Sequence, residues 1–174
     1  MLTMTPAADF QVAAAPASQT IYPNQSGAIS GTITALAGYS SSVTLSCTGT
    51  PPPTCTPSLT TLTPTAAGVP FTLTMASGSS LTYDFNLHVV GSDSKTTTHD
   101  VPLLLNVADF TLGAPTPSSL NVFPGGSAPF AVQVGATGAF NSVVDLSCNA
   151  PATGVTCSFS PSGAVNPSQA PRST

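Results

Sequence analysis

The chain has 174 residues with six acidic and only two basic side chains, so its formal net charge is −4 at pH 7. Charged residues make up 5% of the sequence, against roughly 25% in an ordinary soluble domain. Lys95 and Arg172 cannot form a basic patch that neutralises phosphates, which excludes nucleic acid as a partner. The solvent faces must be built from uncharged residues, here mainly Ser and Thr, which favour strands and turns over helices. At 41% hydrophobic residues, the chain is too apolar to be disordered.

Short runs of alternating apolar and polar residues begin at Asp9-Phe10, and turn residues separate them about every ten positions. Each run is typical of a strand with one buried face. Further runs follow at 28–35, 43–47, 71–75, 81–90 and 101–107. Gly91-Ser92-Asp93-Ser94 predicts a hairpin between the last two. Together these runs predict an all-β protein built as a β-sandwich.

The same order of elements recurs 100 residues later, where Asp109-Phe110 corresponds to Asp9-Phe10. A turn (23–27, then 124–127), an alternating strand (28–35, then 129–134) and a strand ending in cysteine follow in both copies. We therefore expect an N-terminal extension over 1–8, a first module over 9–107 and a second module over 109–174. The second copy stops at the onset of its fifth strand, so we expect it to be incomplete, with about three strands missing.

Four cysteines occur as two close pairs, Cys47 with Cys55 and Cys148 with Cys157, at equivalent places in the two copies. The spacing favours two disulfides; free buried thiols and a metal site are the alternatives, and the CxxC spacing of redox and metal motifs is absent. Each bond would brace the chain locally, tying the end of one strand to the start of the next segment. Paired cysteines also indicate an oxidising compartment.

The N-terminus has neither the basic start nor the apolar run of a signal peptide. No later stretch reaches the roughly 20 apolar residues of a membrane span. An extracellular or cell-surface location is therefore expected from cysteines and composition, with the signal removed or the sequence part of a longer secreted polypeptide.

His88 and His99 are the only histidines and both fall on the final hairpin of the first module. Depending on register, they could share one face with Asp84, about 5–8 Å apart. An adventitious acid–base or metal site and a pair of solvent-exposed polar residues are the two interpretations. No GxSxG or HExxH motif accompanies them, so the sequence predicts no catalytic residue, no cofactor, no metal ligand and no enzymatic activity.

Asp9 and Asp109 open the two modules, either as calcium ligands or as residues that start a strand. A calcium site needs several converging oxygen ligands, so a single carboxylate favours the second interpretation. Asn24 begins the sequon Asn24-Gln25-Ser26 in a predicted turn and is a candidate glycosylation site. Ser/Thr/Pro clusters at 48–65 and 158–174 have the composition of O-glycosylated stalks.

The sequence over 109–161 resembles the bacterial immunoglobulin-like repeats of large secreted and cell-surface proteins. The residues that carry the resemblance are 109–112, 118–127, 144–148 and 154–161. Residues 9–107 match more loosely, with 23–27 in place of 124–127. The resemblance implies tandem immunoglobulin-like β-sandwich modules that serve as stalks, spacers, adhesins or accessory domains, and it implies no shared active site.

The function expected on this basis is that of a non-enzymatic structural or adhesive protein of the bacterial surface. Its expected partners are other copies of itself or neighbouring immunoglobulin-like modules, together with surface glycans. Strands from a neighbouring copy would complete the second module and produce extracellular fibres. The alternative is an accessory module, carbohydrate-binding or spacer, of a secreted hydrolase, although few aromatic residues and no Trp are available to stack on sugars.

Overall fold

The computed structural model describes residues 6–149, 154–160 and 163–169, which leaves residues 1–5 of the expected N-terminal extension outside the described part. The chain divides into two compact units, Met1–Val107 and Ala108–Thr174. The predicted all-β class is confirmed, because the described residues form strands and no helix. Within those residues there is accordingly no helix long and apolar enough to cross a membrane.

The first unit consists of two sheets. Its strands, in chain order, are β1 (Asp9–Ala15), β2 (Ser18–Ile21), β3 (Ser26–Leu36), β4 (Val43–Gly49), β5 (Thr54–Pro57), β6 (Thr61–Leu62), β7 (Val69–Ala76), β8 (Thr82–Gly91) and β9 (Thr98–Leu112). The first sheet has the order β1-β3-β7-β5, and all its pairs are antiparallel. In the second sheet β8 lies between β9 and β4, β6 pairs with the other side of β4, and β2 runs parallel to β9.

Alternation along the strands buries one face of each sheet in a single hydrophobic cluster. The first sheet contributes Phe10, Ile29, Ile33, Phe71, Leu73 and Met75, and the second contributes Val43, Leu45, Phe85, Leu87, Val89, Leu103 and Leu105. Because both inner faces share one core, the first unit is a β-sandwich. The outward faces carry mainly Ser, Thr, Ala and Asn.

Gly31 lies directly opposite Phe71 in the β3–β7 ladder. A Cβ at Gly31 would overlap the far edge of the Phe71 ring and would also lie 2.7 Å from the carbonyl oxygen of Ala13. The ring therefore fills the space that a side chain at position 31 would need. This contact places a large buried aromatic in the ladder without a bulge.

The disulfide between Cys47 and Cys55 joins β4 of one sheet to β5 of the other. Its Cα atoms are 6.3 Å apart. The sequence predicts local bracing, and that description was too narrow. Although eight positions separate the two cysteines, the chain changes sheet between them, so the bond connects the two layers of the sandwich.

In the second unit, the last residues of β9, Ala108 to Leu112, pair with β10 (Val134–Gly138). A two-stranded sheet of β11 (Val144–Asp145) and β12 (Ala164–Val165) follows. The strand predicted over 129–134 is wrong in its bounds: the ladder starts at Val134, and Ala131 forms only an isolated bridge to Thr116. In the first unit the equivalent strand lies between two partners, whereas β10 pairs with one strand among the described residues.

The pairing registers of the two units correspond. Phe10 lies opposite Ala35 in the first unit, and Phe110 lies opposite Ala136 in the second. Val43 pairs with Leu62, and Val144 pairs with Val165. The buried cluster of the second unit is small, comprising Ala108, Val134, Phe140, Val144 and Val165.

Candidate functional site

One contact between ionisable side chains of the first unit lies at the start of β1. An oxygen of Asp9 lies 2.8 Å from Nε2 of His99, and the same oxygen accepts the backbone N–H of Phe10 at 2.7 Å. The Phe10 ring is buried, and the His99 ring meets it edge to face at a centroid distance of 4.7 Å. The hydrogen bond from His99 is the largest cause that lowers the pKa of Asp9 below its usual value. This contact connects the first strand of one sheet to the last strand of the other.

Tyr39 packs on the other side of Phe10, with ring centroids 5.1 Å apart. Burial raises the pKa of its hydroxyl, and the nearby Asp93 carboxylate raises it further. The hydroxyl is buried, and no described residue gives it a hydrogen bond of acceptable geometry. Asp93 instead accepts the backbone N–H and the hydroxyl of Thr97, both at 3.0 Å, and the first of these bonds is the main cause of its lowered pKa. These contacts order the turn between β8 and β9.

His88 and His99 lie on opposite faces of the sheet, so the register that would have put them on one face is not the one observed. His88 is opposite Asp100, whereas His99 is opposite the buried Val89. A one-residue difference in register reverses the face of a strand residue. His88 therefore points outward with Asp84, and its Nδ1 lies 2.7 Å from Asp100, while His99 borders the core.

Each histidine thus has a single carboxylate partner, and the two pairs do not converge. The described residues contain no group of three or more His, Cys, Asp or Glu side chains that could hold a metal ion. The two His–Asp contacts join neighbouring strands or the two sheets, which is a structural role. Exposed pairs of this kind contribute about 0–1 kcal/mol each.

Asp9 and Asp109 make the same contact in the two units. Each carboxylate accepts the backbone N–H of the following phenylalanine, at 2.7 and 2.8 Å. The ring contacts also correspond, since Phe110 packs on Phe140 at 5.5 Å as Phe10 packs on Tyr39. Asp9 is the first residue of β1, which matches its interpretation as a strand-starting residue, whereas Asp109 lies within β9 and starts no strand.

The other candidate residues occupy the positions that their sequence context indicates. Cys148 and Cys157 are joined, with Cα atoms 6.6 Å apart, and no described cysteine is free. Asn24 is exposed in the turn between β2 and β3 with φ 62°, a left-handed conformation that asparagine tolerates. Its side chain is therefore accessible to a glycan.

The outward face of the first sheet contains a shallow concavity of about 540 Å³. Small side chains line it, among them Ala13, Ser30, Thr32, Pro70 and Thr72. Hydroxyls and methyl groups alternate there, with no charged residue in the lining. A second concavity of about 280 Å³ lies in the second unit beside Pro115, Leu120 and Phe130.

No protein-family model matches the chain, and comparisons with curated proteins and with solved structures found no similar protein.

Sequence reasoning missed the aromatic cluster of Phe10, Tyr39 and His99. A signal for it is present, because an aromatic residue follows the turn after the alternating strand predicted at 28–35 and at 129–134, at Tyr39 and Phe140. Their 101-residue separation matches the repeat and so indicated a shared packing role. The pairing of each histidine with its aspartate has no comparable signal, since it depends on strand register.

Proposed function

We propose that this chain is a non-enzymatic structural or adhesive component of the bacterial exterior, built from tandem immunoglobulin-like modules. The observation that carries the proposal is the recurrence of one set of bracing contacts in both units. A disulfide, an aspartate cap on a phenylalanine and an aromatic pair recur about 100 residues apart. Repetition of bracing contacts suits a stalk or spacer, in which each module must resist separation of its sheets.

The strand order of the first unit supports the immunoglobulin-like part of the proposal. With β1, β3, β7 and β5 taken as strands A, B, E and D, the first sheet has the order ABED. The neighbours β4, β8 and β9 then correspond to C, F and G of the second sheet. Constant-type immunoglobulin sandwiches have this order of seven strands, and β2 and β6 are additional strands of the second sheet here.

The disulfides support an extracellular setting, because such bonds persist in oxidising compartments. The test is immunogold labelling of intact producing cells with antibodies against the purified chain. Label on the outer surface, together with weaker attachment of cells from which the coding sequence is deleted, is the expected result. Label confined to the cytoplasm of permeabilised cells would refute the location and, with it, the proposed role.

Self-assembly into fibres by strand complementation is part of this proposal, and it is supported by exposed apolar side chains in the second unit. Phe123 is 89% exposed, and Val122, Phe130 and Val143 are each about half exposed or more. We propose that a strand from a neighbouring copy covers them. Phe123→Ser should reduce fibre formation seen by electron microscopy, whereas Leu59→Ser, at an exposed leucine of the first unit, should not. Equal fibre yield from both variants would contradict this assembly mode.

The alternative function is an accessory module, carbohydrate-binding or spacer, of a secreted hydrolase. The concavity lined by Ser30, Thr32 and Thr72 favours it, since hydroxyls can bind a sugar. Polysaccharide binding by the purified chain that Thr72→Val weakens would support this alternative. Binding unaffected by that substitution, or no binding, would leave the structural role preferred.

A further inference from the structure

The free edge of β1 differs from the other edges of the first unit. Edge strands usually avoid pairing with other chains by being short or by carrying Lys, Pro or a bulge. β5 is four residues long and contains Pro57, β6 has two residues, and β2 pairs along β9 from Leu104 to Val107. β1 pairs over seven consecutive residues and contains neither Lys nor Pro. It is the least protected edge of this unit among the described residues.

The hydrogen bonds show which backbone groups of β1 face outward. The N–H of Phe10 bonds to Asp9, and the N–H of its partner Ala35 bonds to Thr65, so Phe10 and Ala35 form a non-hydrogen-bonded pair. Hydrogen-bonded and non-hydrogen-bonded pairs alternate in an antiparallel ladder. Val12 and Ala14 therefore also direct their N–H and C=O groups away from β3. No hydrogen bond from a described residue reaches these outward groups.

We propose that this edge pairs antiparallel with β1 of a second copy of the chain, about a two-fold axis at Ala13. In this register Val12 lies opposite Ala14 of the second copy, and Ala14 lies opposite its Val12. Each opposed pair exchanges two backbone hydrogen bonds, so four bonds form. Phe10 keeps its bond to Asp9, and Pro16, which has no N–H, follows the paired segment.

A second copy fits this edge in size and in charge. Ala13 faces its own symmetry mate, and an alanine pair is small enough for the close approach of a non-hydrogen-bonded position. Asp9 is the only charged residue of β1 and lies four residues from the axis. The two aspartates are then about 27 Å apart at about 3.4 Å per residue, well beyond the roughly 8 Å Debye length at physiological ionic strength. The pairing therefore opposes no like charges.

Burial also favours the contact. Val12 and Ala14 point toward the core and are only partly buried, although they pack against the main cluster. A strand added at this edge brings a second Ala14 and Val12 beside them and extends the inner face of the sheet. Association therefore covers apolar surface as well as satisfying four backbone groups of each copy.

The biological purpose of this dimer rests on the proposed structural role, but its test needs only the purified chain. Sedimentation equilibrium uses the oxidised 174-residue chain with Phe123→Ser, which weakens the proposed fibre contact of the second unit. It should show reversible dimers from about 10 μM to about 1 mM, a range in which weak strand pairing is measurable. Ala13→Lys places two cations opposite each other and should raise the dissociation constant about tenfold. The matched control is Ala28→Lys, at an exposed alanine on the same face but on the interior strand β3; it should change the constant less than twofold.

Mixing Ala13→Lys with Ala13→Glu, both in the Phe123→Ser chain, should restore dimers at least as tight as those of the chain that keeps Ala13, a result that a misfolded variant cannot give. A monomer at every concentration overturns the inference. Equal effects of the two lysine variants, or failure of the charge-reversed mixture to pair, overturn it as well. None of these outcomes depends on where the protein resides, so surface labelling can fail while the dimer persists, and the reverse also holds.

Discussion

The bond between Cys47 and Cys55 should stabilise the first unit by an amount that follows from its position in the chain. It closes a loop that spans eight positions. The chain-entropy relation gives about 2.6 kcal/mol at 25 °C for a loop of about nine residues. Pro51, Pro52 and Pro53 already restrict the unfolded loop, which reduces the expected gain to about 2 kcal/mol. For a unit of this size, about 2 kcal/mol corresponds to a Tm lower by roughly 8–16 °C.

The measurement is urea unfolding of the oxidised chain and of the Cys47→Ala/Cys55→Ala variant, followed by tyrosine fluorescence. Tyr22, Tyr39 and Tyr83 all lie in the first unit, so the signal reports on that unit alone. The slope m should rise in the variant, because its unfolded chain exposes more surface. The matched control is Cys148→Ala/Cys157→Ala, which should leave the tyrosine transition unchanged. A loss below about 0.5 kcal/mol with an unchanged slope would refute the entropic reasoning.

Three further predictions concern the core and its border. Asp9→Asn should destabilise the first unit at pH 7. Because the pKa of Asp9 is lowered on folding, its contribution to stability is present above the unfolded pKa of about 4 and is lost as pH falls through the folded pKa. The free energies of unfolding of the variant and of the unmodified chain, plotted against pH, should therefore converge near pH 2, and a constant difference would contradict this. Tyr39→Phe removes a buried hydroxyl that lacks a hydrogen bond, so thermal unfolding should show unchanged or higher stability, and a loss above about 1 kcal/mol would indicate a bond to Asp93. Gly31→Val must displace Phe71, so the free energy of unfolding measured in urea should fall by about 1–3 kcal/mol or more. Thr34→Val on the same strand should lower it by less than about 1 kcal/mol. Similar losses for the two variants would contradict the steric argument.

Alternation and turn residues were enough to predict most strands of the first unit. β3, β4 and β7 each contain the run assigned to them, and β8 lacks only the first residue of its run, Leu81, because each of these strands buries one face. The cysteine pairs could also be predicted, because both copies of the repeat contain a pair at the equivalent place. Strand alternation and cysteine spacing involve residues that are close in the sequence, so the sequence alone is enough to predict them.

Register and sheet membership could not be predicted in the same way. The sequence left open whether His88 and His99 share a face, because that depends on hairpin register, and the ladder that pairs His88 with Asp100 sends them to opposite faces. β1 and β2 are separated only by Pro16 and Ala17 but belong to different sheets. The chain also changes sheet between Cys47 in β4 and Cys55 in β5. Each of these features depends on contacts between residues that are distant in sequence.

The pairing of Gly31 with Phe71 also bears on how a strand with a repetitive sequence finds its partner. β3 begins Ser-Gly-Ala-Ile and continues Ser-Gly-Thr-Ile, so it is nearly self-similar after four residues. A shift of two residues keeps the correct face inward but places Phe71 against Ile29 or Ile33, where two large side chains compete for one space. A shift of four residues brings Phe71 to Gly27 but removes half of the eight pairs of the β3–β7 ladder. The two glycines thus make the nearest alternative alignments either crowded or half-paired, and a chain of similar Ser/Thr strands acquires one preferred alignment.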